Sequence, residues 1–208
     1  MTLLQSGLAK SAAVDYTIDQ SCRFDDGDSA YLGRTFTASN QKTFTLSWWT
    51  KRCDIGVDQM YFAGGLSGQP RFMIGFLSSD IFRVGFNPDG SAWKMLNTTA
   101  VYRDPGAWLH VVIAVDTTQS TPSDRTKLYI NGDRVTAFDT EDYADEDDDL
   151  PVNSAMEHRI GANAYSGYMY LSSYLAEYYF IDGLQYAASD FAETDSATNQ
   201  WKPIDASG

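Results

Sequence analysis

The segment from Ala107 to Val135, AWLHVVIAVDTTQSTPSDRTKLYINGDRV, constrains this chain more than any other part of it. It opens on Trp108-Leu109-His110-Val111-Val112-Ile113-Ala114-Val115. That run is too short for a packed helix and too apolar for a strand wetted on one face, so it predicts a strand buried on both sides. A polar loop follows from Asp116 to Arg125, in which Pro122 argues against helix. Lys127-Leu128-Tyr129-Ile130 then ends at Asn131-Gly132-Asp133. Asn and Gly tolerate the positive φ of a tight primed turn, so Arg134 to Phe138 is expected to return antiparallel to residues 127–130.

The rest of the chain agrees with an all-β reading. In Phe44-Thr45-Leu46-Ser47-Trp48-Trp49-Thr50, alternation puts Phe44, Leu46 and Trp48 on one face and Thr45, Ser47 and Trp49 on the other. Apolar stretches at Met60–Ala63, Arg71–Phe76 and Ile81–Phe86, separated by Gly- and Ser-rich turns, form a meander. Asn87-Pro88-Asp89-Gly90 is a turn, and short strands are expected at Trp93–Met95 and Ala100–Tyr102. From Tyr174 to Ile181 both faces are largely apolar, which predicts a second interior strand. The expected architecture is a two-sheet antiparallel β-sandwich. A chain of 208 residues with 43% hydrophobic and 14% aromatic side chains is enough for one such core.

The Trp-x-His strand at 108–110 followed by the Leu-Tyr-Ile-Asn-Gly hairpin at 128–132 resembles the laminin G-like branch of the concanavalin A-like lectin/glucanase superfamily. The resemblance continues at Phe24–Leu32 and Phe44–Arg52, then at Ile160-Gly161 and Tyr174–Gly183. With Asp190–Thr194 and Trp201-Lys202-Pro203, the pattern is most similar to laminin G-like domains in virion proteins of tailed, especially marine, bacteriophages. This implies a jelly roll over residues 20–203, preceded by an arm at 1–19 and followed by a tail at 204–208. It also implies a virion location, contacts with other virion proteins, binding of host-surface polysaccharide, and homo-oligomeric display. The superfamily hosts lectins, hydrolases and structural modules alike, so the site has to be argued from residues.

Fifteen basic against 28 acidic side chains leave a net charge of -13, which disfavours nucleic acid as a partner. No apolar run approaches the ~18 residues that span a bilayer, and no positive region precedes an apolar segment at the N-terminus. Membrane insertion and a secretion signal are therefore not expected. Cys22 and Cys53 bracket the first strands and either form a disulfide or are two small buried residues. The stretch Met1–Thr17, with Leu3, Leu4 and Leu8, is either a frayed lead-in or an arm that docks on another virion protein.

Catalytic patterns are missing. The Glu-x-Asp-x-Glu strand of the fold's glucanases does not occur, and Asp139 and Glu141, though alternately spaced, run into a polyacidic loop. His110 reads as a structural imidazole within its strand, and His158 has no Gly-x-Ser-x-Gly elbow to serve. The expected activity is binding or structure, without catalysis.

The binding candidates are aromatic. Trp49 lies on the polar face of its strand and is either a sugar-stacking platform or a cover for the sheet. Tyr165, Tyr168 and Tyr170 occupy a Gly-containing loop, and each offers a flat apolar face and a hydroxyl, as a sugar requires. The alternative is that they pack over a sheet edge. The run from Asp139 to Asp149 holds eight carboxylates in eleven residues. It is either a solvated, extended loop or a site for calcium at Asp145, Asp147 and Asp149, or for a basic partner in the virion. The carboxylates at Asp25, Asp26 and Asp28 read as a solvated turn, with calcium as the alternative. Two functions of different class remain: an adhesin for host-surface glycan, and a structural or decoration module that contacts only virion proteins.

Overall fold

The computed structural model describes residues 16–165 and 168–206. Most of the expected N-terminal arm, residues 1–15, lies outside them. The strands run in chain order as β1 (Cys22–Phe24), β2 (Leu32–Thr35), β3 (Thr43–Arg52), β4 (Gln59–Gly65), β5 (Arg71–Phe76) and β6 (Ile81–Asn87). There follow β7 (Lys94–Val101), β8 (Leu109–Asp116), β9 (Thr126–Ile130), β10 (Asp133–Arg134) and β11 (Phe138–Glu141). The chain ends with β12 (Glu157–Ile160), β13 (Ser173–Asp182), β14 (Ala192–Thr194) and β15 (Trp201–Pro203). Two antiparallel sheets result, ordered β1-β13-β3-β8-β9-β10 and β11-β7-β6-β5-β4-β12-β2, with β14-β15 as a small third pair. This is the expected sandwich. No helix among the described residues is long and apolar enough to cross a membrane.

The core lies between the two large sheets and follows from alternation. Phe44, Leu46 and Trp48 of β3 and Val111, Ile113 and Val115 of β8 meet Phe72, Ile74, Phe76, Phe82, Val84 and Phe86 of β5 and β6. Trp48 stacks between rings, 5.7 Å from Tyr61 and 5.5 Å from Tyr178. Burying such side chains gains about 1.5–3 kcal/mol each relative to exposure.

The opposite faces of β3 and β8 are also buried, because the segment after Gly183 folds over them as a third layer. Ala188 and Phe191 pack on Val112, and Ala192 packs on Trp49 and Ala176. The Thr45 hydroxyl donates to the Leu184 carbonyl (2.7 Å) and accepts from the Tyr186 N–H (2.9 Å). Trp201 seals the layer, its indole N–H donating to His110 Nδ1 at 3.0 Å. This cover explains why β8 and β13 read as apolar on both faces in a sandwich of antiparallel sheets.

Several expectations are corrected. Pro122 does not bar a helix: Pro122–Arg125 is a single helical turn with the proline at its start, where the missing N–H costs nothing. Asn131 and Gly132 do have positive φ, 51° and 87°. The return strand, however, pairs through Asp133 and Arg134 alone, with one further bond from the Val135 N–H to the Leu128 carbonyl (2.8 Å). Phe138–Glu141 instead crosses to β7 in the other sheet. The two short strands expected around Trp93 and Tyr102 are one strand, β7. Cys22 and Cys53 are both free and exposed, so they are neither a disulfide nor buried.

Candidate functional site

Arg71 opens β5 and points away from the core, since Phe72, Ile74 and Phe76 face inward. Its guanidinium lies 5.0 Å from the ring centroid of Trp93 and 5.8 Å from that of Tyr165. With Tyr168 and Asn163 these residues line a cleft of about 210 Å3 on the outer face of the seven-stranded sheet, above Gly64, Gly65 and Met73. Gly65 has a φ of 88°, and a Cβ there would meet the Pro70 carbonyl at 2.3 Å, so only glycine lets the chain turn into β5 at this point.

Each ring is placed by local chemistry. Trp93 follows a turn held by Asp89, whose carboxylate accepts from the Ser91 hydroxyl, the Ser91 N–H (2.9 Å) and the Ala92 N–H (3.2 Å). Those donors hold the Asp89 carboxyl down at about 2. The indole then lies over Gly85, where a Cβ would come within 3.3 Å of it. Tyr165 is set by its N–H, which donates to Asn163 Oδ1 at 2.9 Å. The Asn163 N–H donates to the Tyr168 carbonyl at 3.0 Å and closes the loop. Tyr165 and Tyr168 are 47% and 46% exposed, so a large part of each ring faces solvent.

The other expected residues lie elsewhere. Tyr170 is half-buried and is not in the cleft. Trp49 is only 6% exposed, stacked on His110 at 4.8 Å beneath the third layer. Its remaining edge lines a cavity of about 380 Å3 shared with Trp108, Pro203 and residues 16–21. A ring so covered presents no face for a sugar to stack on, which corrects the reading of Trp49 as a platform. That cavity is larger than the Arg71 cleft, but its wall is the N-terminal segment, whose preceding residues lie outside the described part.

The acidic run is ordered rather than extended. Leu150 and Val152 are buried in the core, and the Asp147 N–H donates to the Thr117 carbonyl at 2.9 Å. Its carboxylates diverge toward bases on separate parts of the chain. Asp145 meets Lys94 at 3.2 Å, Asp147 meets Lys42 at 3.1 Å, and Glu146 meets Arg125 at 3.5 Å, while Asp149 is exposed. Among the described residues no three His, Cys, Asp or Glu side chains form a group able to hold a metal ion. Asp145, Asp147 and Asp149 therefore do not make the expected calcium cage.

Both histidines are structural. His110 is buried at 1% exposure; it accepts from Trp201 at Nδ1, so its Nε2–H donates to Ser47 Oγ at 2.9 Å. Burial pushes its pKa down to about 4. His158 is likewise neutral, donating from Nδ1 to the Met156 carbonyl (2.9 Å) and accepting the Asn153 N–H at Nε2 (3.2 Å). Asp139 and Glu141 are exposed on the edge strand β11.

Of the residues lining the cleft, Tyr165 and Tyr168 are among the sequence candidates and Arg71 and Trp93 are not. The signals were present: a tryptophan just past a Pro-Asp-Gly turn, and an arginine at a strand start with no acidic neighbour.

A laminin G-type family model, described as the concanavalin A-like lectin/glucanases superfamily, matches residues 24–183. A search of curated protein sequences finds no match. Among solved structures, the chain is similar to a native heptameric SAP-like pentraxin from Limulus polyphemus, with 16% identity and a TM-score of 0.51 over 80% of this chain and 73% of that one. It is similar to the CBM40 of Ruminococcus gnavus IT-sialidase, with 12% identity and a TM-score of 0.52 over 76% and 94%. Domains LG4-5 of the mouse laminin alpha1 chain give 12% identity and a TM-score of 0.52 over 83% of this chain and 45% of that one. At these identities the likeness is one of fold.

Proposed function

Because the chain belongs to the laminin G-like family of the concanavalin A-like lectin/glucanase superfamily, we propose that it is a non-enzymatic carbohydrate-binding module whose site is the Arg71 cleft. One observation carries the reading: Trp93, Tyr165 and Tyr168 surround a half-buried guanidinium and a buried amide in a single cleft. Flat rings match the C–H face of a sugar, and Arg71, Asn163 and the tyrosine hydroxyls match its polar substituents. A cleft of about 210 Å3 is below the ≈ 300–1,000 Å3 of drug-sized sites, which suits one sugar ring better than an oligosaccharide. The carbohydrate-binding module among the similar folds is in keeping with this. Catalysis has no support in either histidine or in the exposed Asp139 and Glu141.

From the motif resemblance we place the module on the surface of a tailed-phage virion, where it meets host polysaccharide. A one-sugar cleft binds weakly, and homo-oligomeric display would turn weak sites into useful avidity. The test is calorimetric titration of the purified protein with host-envelope polysaccharide. Saturable binding that Tyr168→Ala weakens about tenfold or more supports the reading, and its absence for wild-type protein at millimolar sugar refutes it. A second reading, a structural module contacting only virion proteins, draws on the free edge strand β2, where Tyr31 and Leu32 are exposed. Pull-down of virion proteins that Leu32→Lys abolishes, without glycan binding, would favour it.

A further inference from the structure

Resting on the carbohydrate-binding reading, we propose that the cleft selects an acidic sugar, one whose carboxylate pairs with the Arg71 guanidinium. The chain carries 28 acidic and 15 basic side chains, and most of its described bases are answered by carboxylates. Arg71 is not. Among the described residues its guanidinium has no ion pair and no hydrogen bond, only the faces of Trp93 and Tyr165. Its Nε is buried from solvent without an acceptor. Arg83, half-buried on the next strand, also lacks a carboxylate but bonds Asn97 Oδ1 at 2.9 Å, whereas Arg71 has neither and is open to an acceptor from outside.

The surroundings are short of acceptors as well. Asn163, 3% exposed, lines the same cleft, and among the described residues its Nδ2 has only the sulfur atoms of Met73 (3.6 Å) and Met169 (3.8 Å) as partners, both weak acceptors. Its Oδ1 is fixed on the Tyr165 N–H, so Nδ2 cannot be exchanged for oxygen by an amide flip. Buried polar groups are normally satisfied, so a donor left without a good acceptor is unusual. A ligand carboxylate supplies what is lacking: two coplanar acceptor oxygens for the guanidinium fork, with an amide donor alongside. A neutral sugar supplies no charge. One unpaired guanidinium also matches the single charge of a carboxylate better than a multiply charged phosphate.

The net charge of -13 does not oppose this at short range, because fields beyond about 8 Å are screened at physiological ionic strength. The flanking cation Lys94 is already engaged by Asp142 and Asp145, so it does not compete with Arg71 for a ligand carboxylate.

The experiment titrates wild-type protein with polygalacturonate, alginate and polysialic acid, each beside its carboxyl-reduced form. At least one acidic polymer is expected to bind, with affinity lowered about tenfold or more by carboxyl reduction, and by a similar factor in Arg71→Met. Arg71→Lys, which keeps the charge but loses the fork, falls between. Circular dichroism of both variants checks that they fold, and the comparison on wild-type protein does not depend on them. If reduced and acidic polymers bind alike, the acidic-sugar inference fails and carbohydrate binding stands. Binding of dextran sulfate through Arg71, with every carboxylated polymer ignored, also overturns it. If nothing in the panel or in the host polysaccharide binds, both readings fall.

Discussion

The Arg52 guanidinium is wholly buried, and its charge is met by Asp80 at 3.0 Å and by the ring of Phe76 at 4.2 Å. Burial alone would raise the Asp80 carboxyl, but the Gly56 N–H, Arg103 and Arg52 together hold it below its ordinary value. Asp80→Ala leaves Arg52 buried and unpaired, and urea unfolding is expected to show a loss of about 3–5 kcal/mol. His110 makes a second prediction, with a definite sign. Its folded pKa is about 4 against 6.5 for the free imidazole, so the unfolded chain takes the proton first as pH falls. Stability is therefore fully present above pH 6.5 and declines between 6.5 and about 4, by about 3 kcal/mol in all at 1.36 kcal/mol per unit. Comparing urea midpoints at pH 7 and pH 5 checks it, and His110→Gln is expected to flatten that slope. Single residues were the least legible part of the sequence. The openness of Arg71 depends on which carboxylates reach it in space, and Trp49 looked exposed because its cover comes from residues some 140 positions later.

At the scale of elements, the Asn131-Gly132 turn and the third layer support each other. Gly132 has a φ of 87°, and a Cβ there would sit 2.8 Å from the Trp201 ring. Gly132→Ala therefore meets both backbone strain and the indole, and is expected to lower stability by about 1–3 kcal/mol in chemical denaturation. Protonating His110 turns Nδ1 from acceptor to donor against the Trp201 N–H, so acid should loosen this layer first, visible as a change in tryptophan fluorescence ahead of unfolding. The strands themselves could be read from alternation and from the turn residues, because both are local. The single strand β7 was read as two pieces, since its middle, Asn97-Thr98-Thr99, is polar. Asn97 is buried by bonds to Arg83 and Thr140 on neighbouring strands, which no local pattern reveals. The crossing of Phe138–Glu141 to the other sheet was illegible for the same reason.

Over the whole molecule, charge is distributed as staples. The acidic run is tied by Lys42, Lys94 and Arg125 to three separate strands or turns, which removes its self-repulsion without a metal. Adding calcium to chelator-treated protein is accordingly expected to leave the melting temperature unchanged in a thermal scan, and a rise would reveal a cage elsewhere. The match to the family covers residues 24–183, and the third layer is built from the residues that follow. That order has a consequence during synthesis. The ribosome finishes the six-stranded sheet before it has made the layer that hides Trp49, Val112 and Tyr179, and for that interval the nascent protein carries a bare apolar wall. Slow translation between Gly183 and Trp201 would lengthen the time in which two unfinished chains can meet face to face.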